Sequence, residues 1–239
     1  LMLTAVPFGI YFNENSFIGI LISSFVNIAV GFQCYHLTKN TRNKDLKRRD
    51  GFLIVTFSWL IMSLFGMLPY IITGQIPSLT DAFFETVSGY TTTGATILNN
   101  IESLDHGILF WRSLTQWIGG MGIIVLAVAI LPFLGIGGMQ LFVAESPGVS
   151  LDKLQPRIKE TAKRLWIIYI SFTVLLFFIL YAEGMSLFDA VNHAMTTFAT
   201  GGFSTKDASI GYFDSPLIHY TIIVFMMISA TNFTLIYFG

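Results

Sequence analysis

The stretch Asp81-Ala82-Phe83-Phe84-Glu85-Thr86-Val87-Ser88-Gly89-Tyr90-Thr91-Thr92-Thr93-Gly94-Ala95-Thr96 decides how the rest of the chain is read. It opens like a short helix, from Asp81 to about Tyr90, with Ser78 or Thr80 placed to cap the N-terminus. It closes on four threonines and one glycine, a composition that does not continue a helix. Long apolar segments flank it, so this polar, irregular piece lies at membrane depth. Non-helical backbone is tolerated there only where protein buries it or where it lines a wet cavity. Thr91 to Thr96 offers carbonyls and small side chains, and Gly94 accepts φ > 0. The stretch holds no Lys or Arg, so its free polar atoms are mainly acceptors, which suits a cation.

The same element occurs twice. A shift of 108 residues lays Ser186–Ser204 on Ser78–Thr96, with six of nineteen positions identical. These are Ser78 with Ser186, Leu79 with Leu187, Asp81 with Asp189, Ala82 with Ala190, Thr92 with Thr200, and Gly94 with Gly202. Ser88 with Thr196 and Thr96 with Ser204 keep a hydroxyl. The pattern points to two pore loops facing one axis.

Composition places both copies in a membrane. The 239 residues are 54% hydrophobic and only 11% charged, against roughly 25% charged in a soluble domain. Ser16–Leu37, 51–73, 107–135, 165–182 and 216–239 read as apolar helices, several of them as long as a bilayer is thick. Residues 1–12 resemble the tail of a truncated helix rather than a signal peptide, and both chain ends look cut. Cys34 is the only cysteine, which excludes a disulfide framework and a thiolate metal cluster; it is expected as a small buried helix residue. The run Gly135-Ile136-Gly137-Gly138 follows a helix and lacks the spacing of a dinucleotide fingerprint. Eleven of the thirteen Lys and Arg lie on 39–50 and 144–164, leaving Arg112 and Lys206. The positive-inside rule makes those two segments cytoplasmic, so both short-helix-plus-loop elements enter from outside. The outward segments carry nine acids (Glu14, Asp81, Glu85, Glu102, Asp105, Glu183, Asp189, Asp207, Asp214), a vestibule that would concentrate cations. The fold expected is an all-α integral membrane protein of repeated helix, pore helix, filter loop, helix units, as in potassium channels.

A filter that replaces an ion's hydration shell needs consecutive carbonyls aimed at one axis. Thr-Thr-Gly-Ala-Thr and Thr-Gly-Gly-Phe-Ser suit that task, and each pore helix turns its partly negative C-terminal end toward its loop. Phe84 to Thr96, Phe198-Ala199-Thr200-Gly201-Gly202-Phe203-Ser204-Thr205, Gln116-Trp117-Ile118-Gly119-Gly120-Met121-Gly122 and Thr231-Asn232-Phe233 together resemble the Trk/Ktr/HKT superfamily of potassium transporters, closest to the Trk-type transmembrane subunit. The resemblance implies four such repeats around one pore. Residues 1–38 then match an extra N-terminal helix pair with its first helix partial, 51–144 the first repeat and 160–239 the second, with repeats three and four absent. The family's filter glycine falls on Gly94 and Gly202, which favours potassium over sodium. The candidate carbonyls are those of Thr92, Thr93, Gly94, Ala95, Thr200, Gly201, Gly202 and Phe203. The resemblance further implies a multi-pass protein of the bacterial cytoplasmic (inner) membrane, potassium as the transported ion, and a homodimer of full-length subunits. It also implies a cytosolic nucleotide-binding regulatory ring, for which the basic segment 153–164 is a candidate contact. Membrane lipids are expected partners and nucleic acid is not.

Other residues receive plainer readings. His193 is expected to be satisfied by a neighbour, Arg112 to be an interfacial anchor or a partner of Glu102 or Asp105, Trp111 and Trp117 to sit in an interfacial belt, and Gly107 to be exposed. Gly119, Gly120 and Gly122 permit close helix packing. An intramembrane enzyme is a distant alternative, because His36, His106, His193 and His219 are scattered and none has another His four residues away. A non-conducting scaffold or assembly fragment is the nearer one, since two loops do not ring a pore without a partner. The topology has a direct check: Ser103→Cys and Asp207→Cys should react with an impermeant thiol reagent from outside, and Cys34 should lie near the cytoplasmic face. Labelling of Ser103→Cys only after permeabilisation would reverse the orientation.

Overall fold

The computed structural model describes residues 1–39, 48–134 and 154–231, and every element in them is helical or a turn. Arg42, Lys44 and Lys47 of the segment 39–50, the run 135–138, Lys153, Asn232 and Phe233 lie outside the described residues. In chain order the helices are α1 Val6–Tyr11, α2 Ser16–Thr38, α3 Arg48–Gly66, α4 Leu68–Ile72, α5 Leu79–Tyr90, α6 His106–Leu134, α7 Leu154–Ala182, α8 Leu187–Phe198 and α9 Pro216–Ala230. Ser16–Thr38, Leu53–Ile72 and Lys163–Ala182 are long and apolar enough to cross a membrane. Their outer faces carry exposed Phe25, Phe32, Phe57, Ile61, Leu175 and Phe178, the kind of surface that lipid covers. Cys34 belongs to this exposed surface rather than to the core.

Helix α6 is the hub. It packs against α5 of its own unit, against α7 and α8 of the next, and against α1. Glycines make this possible. A Cβ at Gly119 would stand 2.0 Å from the Tyr90 carbonyl oxygen, and one at Gly120 would stand 3.0 Å from Ala199 Cα. The glycine-rich stretch therefore draws the ends of both pore helices against one axis. Trp111 and Trp117, read from sequence as an interfacial belt, are structural instead. Trp111 is buried and its indole N–H donates to the Gly66 carbonyl at 2.9 Å. That carbonyl lies where the span breaks between α3 and α4, next to Pro69. Trp117 donates to Thr173 Oγ1 and its carbonyl accepts from Tyr169, joining α6 to α7. Gly107 is buried, not exposed: a Cβ there would meet Ile20 at 3.0 Å.

The two units meet at one end. The Ile101 N–H donates to Asp207 Oδ1 at 2.6 Å, so the segments that follow the two loops lie side by side. Nearby, His106 Nδ1 pairs with Glu14 Oε1 at 2.6 Å and its ring stacks on Phe12, tying the α1–α2 turn to the start of α6.

The closeness of α5 and α6 is open to test. Gly119→Ala forces Cβ onto backbone that has no room to yield and should cost about 1–3 kcal/mol, read as a lower unfolding temperature in detergent. Gly122→Ala, whose new methyl would meet only the Trp59 ring at 3.5 Å, should be mild. Equal stability of the two variants would contradict the packing.

Candidate functional site: two matched loops

The two short helices start and stop by the same devices. α5 and α8 are both twelve residues long, and Ser78 and Ser186 cap them by accepting from the Asp81 and Asp189 N–H groups. At the C-termini, the Thr93 N–H donates to the Ser88 carbonyl and the Thr92 N–H to the Gly89 carbonyl. Gly201 to Thr196 and Thr200 to Thr197 repeat the pattern. This crossed pair of bonds turns a helix off through one left-handed residue, usually glycine. Here threonine takes that place twice, with φ 54° at Thr92 and at Thr200. A β-branched residue in that region carries strain of about 1–2 kcal/mol. Gly94 and Gly202 follow at φ 77° and 80°. The two copies thus agree in backbone conformation at the left-handed positions as well as in sequence.

The turns leave acceptors free. Among the described residues, no donor reaches the carbonyls of Thr92, Thr93, Gly94, Thr200, Gly201 or Gly202. The Ala95 carbonyl is turned back and accepts from the Ser88 hydroxyl at 2.5 Å. The loops are also neighbours, since a Cβ built on Gly94 would fall 1.9 Å from the Gly201 carbonyl oxygen.

Behind the loops lies a polar frame that the sequence reading assigned differently. Arg112 is neither an interfacial anchor nor a partner of Glu102 or Asp105. It is buried, with Nε 2.6 Å from Glu85 Oε1 and Nη1 donating to the Ser204 carbonyl at 2.9 Å. Its guanidinium lies 3.6 Å over the Phe203 ring. The Glu85 carboxylate also accepts from Thr96 Oγ1 and from the Ile97 N–H. Gln116 Oε1 accepts from the Phe203 N–H at 3.0 Å, and its side chain occupies the space beside Gly201. Asp189 accepts from Thr205 and Ser186. Glu85, Asp189, Asp207 and Glu14 are therefore engaged in internal contacts rather than standing free around a vestibule. His193, expected to be satisfied, has its buried Nε2 without a partner among the described residues and meets the Phe213 ring edge-on. The signal for this frame was present in the sequence: a lone Arg inside an apolar helix and a Glu inside a pore helix call for each other.

The described residues contain no group of three or more His, Cys, Asp or Glu placed to hold a metal. What the site offers is neutral backbone oxygen, the ligand of a weakly held, hard monovalent cation.

Comparison with known proteins agrees with this chemistry. The family profile described as "TrkH: Cation transport protein" matches residues 17–238. The chain is 53% identical over 214 residues to the Trk system potassium uptake protein TrkH of Escherichia coli (strain K12), covering 88% of this chain and 44% of that protein. It is 49% identical over 237 residues to the protein of the same name from Vibrio parahaemolyticus, covering 98% and 48%. The crystal structure of the potassium transporter TrkH from Vibrio parahaemolyticus superposes with a TM-score of 0.85 at 45% identity, over 98% of this chain and 47% of that one. The chain thus spans about half the length of these relatives, which are transport proteins and not enzymes. By this match, which runs through nearly all of its residues, the chain belongs to the TrkH family of cation transport proteins.

Proposed function

We propose that this chain supplies two of the four filter loops of a potassium uptake protein of the bacterial cytoplasmic membrane. The carbonyls of Thr92, Thr93 and Gly94, with those of Thr200, Gly201 and Gly202, line half of the filter. Ala95 and Phe203 complete the set at its edge, Ala95 through the lone pair that Ser88 leaves open. The observation that carries this reading is the pair of matched loops, side by side, whose carbonyls from Thr92 to Gly94 and from Thr200 to Gly202 have no donor among the described residues. The names of the relatives, potassium uptake proteins all, supply the ion.

Two further loops are supported by the packing. The first unit holds the second through Gly94, Gln116 and Gly120, which touch or crowd Gly201, Phe203 and Ala199. The second unit presents Gly202, Met226 and Ala230 at the corresponding positions, with Met in place of Gln, where they border an uncovered cleft of about 380 Å³ that also contains His193. A head-to-tail contact of this kind propagates until it closes into a ring. The second half of the relatives' length is the natural source of the remaining units. The homodimer and the cytosolic nucleotide-binding ring stay part of this proposal, with 153–164 as the ring's contact.

The loops are tested by Gly94→Ser and Gly202→Ser in a full-length family member carrying this sequence as its first half. Both add a side chain at a left-handed position, and the one at Gly94 also strikes the Gly201 carbonyl. A loss of about 1.4 kcal/mol in preference is tenfold, so potassium-over-sodium selectivity in liposome flux should fall at least about tenfold for each. Gly211→Ser, exposed and facing open space, is the control and should change nothing. Unaltered preference in both filter variants would exclude the loops as the filter, and folded wild-type protein that carries no cation flux would favour the scaffold reading.

A further inference from the structure

The seam between the two units is held by groups that the second unit does not repeat. On α6, Ile108, Arg112, Thr115 and Gly119 are buried; on α9, Ile218, Ile222, Phe225 and Ser229 are buried at the same spacing. In this register Arg112 corresponds to Ile222 and Gln116 to Met226. The side chains that reach across from α6 to the second loop therefore have only apolar counterparts on α9.

The Arg112 contacts fall at matched points of both loops. Glu85 receives the Thr96 hydroxyl and the Ile97 N–H where loop one ends. Arg112 holds the Ser204 carbonyl where loop two ends, and Thr96 and Ser204 are equivalent under the 108-residue repeat. The side chains of the Glu85–Arg112 ion pair are 0% and 2% exposed, so water does not compete for either partner. With the guanidinium over the Phe203 ring, Arg112 fixes that side chain and the Ser204–Thr205 peptide whose carbonyl it holds, and the Gly202 and Gly201 carbonyls before them follow.

We infer that Arg112 is a positioning residue for the second filter loop, and that the Glu85–Arg112 pair locks the two loops into one unit whose ion preference is shared. This rests on the loops being the filter. Arg112 does not touch the ion; it acts through the Phe203 ring and the Ser204 carbonyl. At the corresponding positions α9 carries Ile222 and Met226, which offer no such lock to a following loop.

The experiment uses the same full-length protein, measuring monodispersity in detergent and the potassium, rubidium and sodium fluxes in liposomes. Arg112→Lys keeps a charge for Glu85 but loses the planar, two-direction reach to Ser204. The double change Glu85→Gln with Arg112→Gln removes both buried charges together and avoids an orphaned ion. Thr96→Val deletes the hydroxyl's bond to Glu85, along with the exposed one it accepts from the Leu98 N–H, and leaves the pair intact. Folded protein with selectivity lowered about tenfold in the first two, and roughly threefold in Thr96→Val, on the scale of one net hydrogen bond, is the result expected. Combining Arg112→Lys with Gly202→Ser should add little, because both disturb one loop. If Gly202→Ser shifts selectivity while Thr96→Val and whichever Arg112 variants fold leave it at the wild-type value, the lock is refuted and the filter stands. If Gly202→Ser itself shifts nothing, the filter reading falls, and the lock with it.

Discussion

Backbone that leaves a helix at membrane depth must find a partner for every N–H and C=O, and this requirement shapes the molecule. The two helix ends meet it in part with their own crossed hydrogen bonds, at Thr92–Thr93 and Thr200–Gly201. The carbonyls that remain free can be stable only where water or a cation reaches them. Everything behind the loops then has one task, to keep those oxygens from turning back into the protein. Ser88, Glu85, Arg112 and Gln116 do this by occupying the neighbouring donors and acceptors. The glycines of α6 bring these groups within reach.

A buried ion pair is a poor device for stability alone. The desolvation of Glu85 and Arg112 offsets most of their attraction, and well-packed apolar residues often do as well. Removing one partner is the expensive event, at about 3–5 kcal/mol, because the other charge is then stranded. What the pair provides here is direction. A guanidinium donates along two fixed axes, one toward a carboxylate and one toward a loop carbonyl, and so transfers the geometry of one unit to the next. Left-handed threonines fit the same logic: strain of this size persists only where the surroundings over-determine the turn. The turn occurs twice with the same φ at its threonine.

Much of this was legible in the sequence. The 108-residue repeat located both pore helices and both loops, because cap, helix and turn each depend on local residue types: Ser186 and Asp189, Thr200 and Gly202. The spans followed from long apolar runs. What local pattern did not reveal was which residues meet across the seam. Arg112 reads as an interfacial residue because a charge in an apolar helix is expected to seek water, yet Glu85, 27 positions earlier, receives it in the core. Trp111 reads as a belt residue until the break beside Pro69 provides a carbonyl for its indole. Gly107 reads as exposed because its neighbours are polar, whereas α2 packs over it. Each of these misreadings concerns a partner distant in sequence, which periodicity does not encode.

We propose that monovalent cations sit on the axis that the two loops face, held by backbone oxygen. The most direct measurement is a structure of the full-length protein carrying this chain, soaked with thallium or rubidium, with the ions located by anomalous scattering. The account predicts peaks on the axis within coordinating distance of the Thr92, Thr93 and Gly94 carbonyls and of the Thr200, Gly201 and Gly202 carbonyls. Ions bound elsewhere in the pore, with these oxygens turned into the protein, would contradict it.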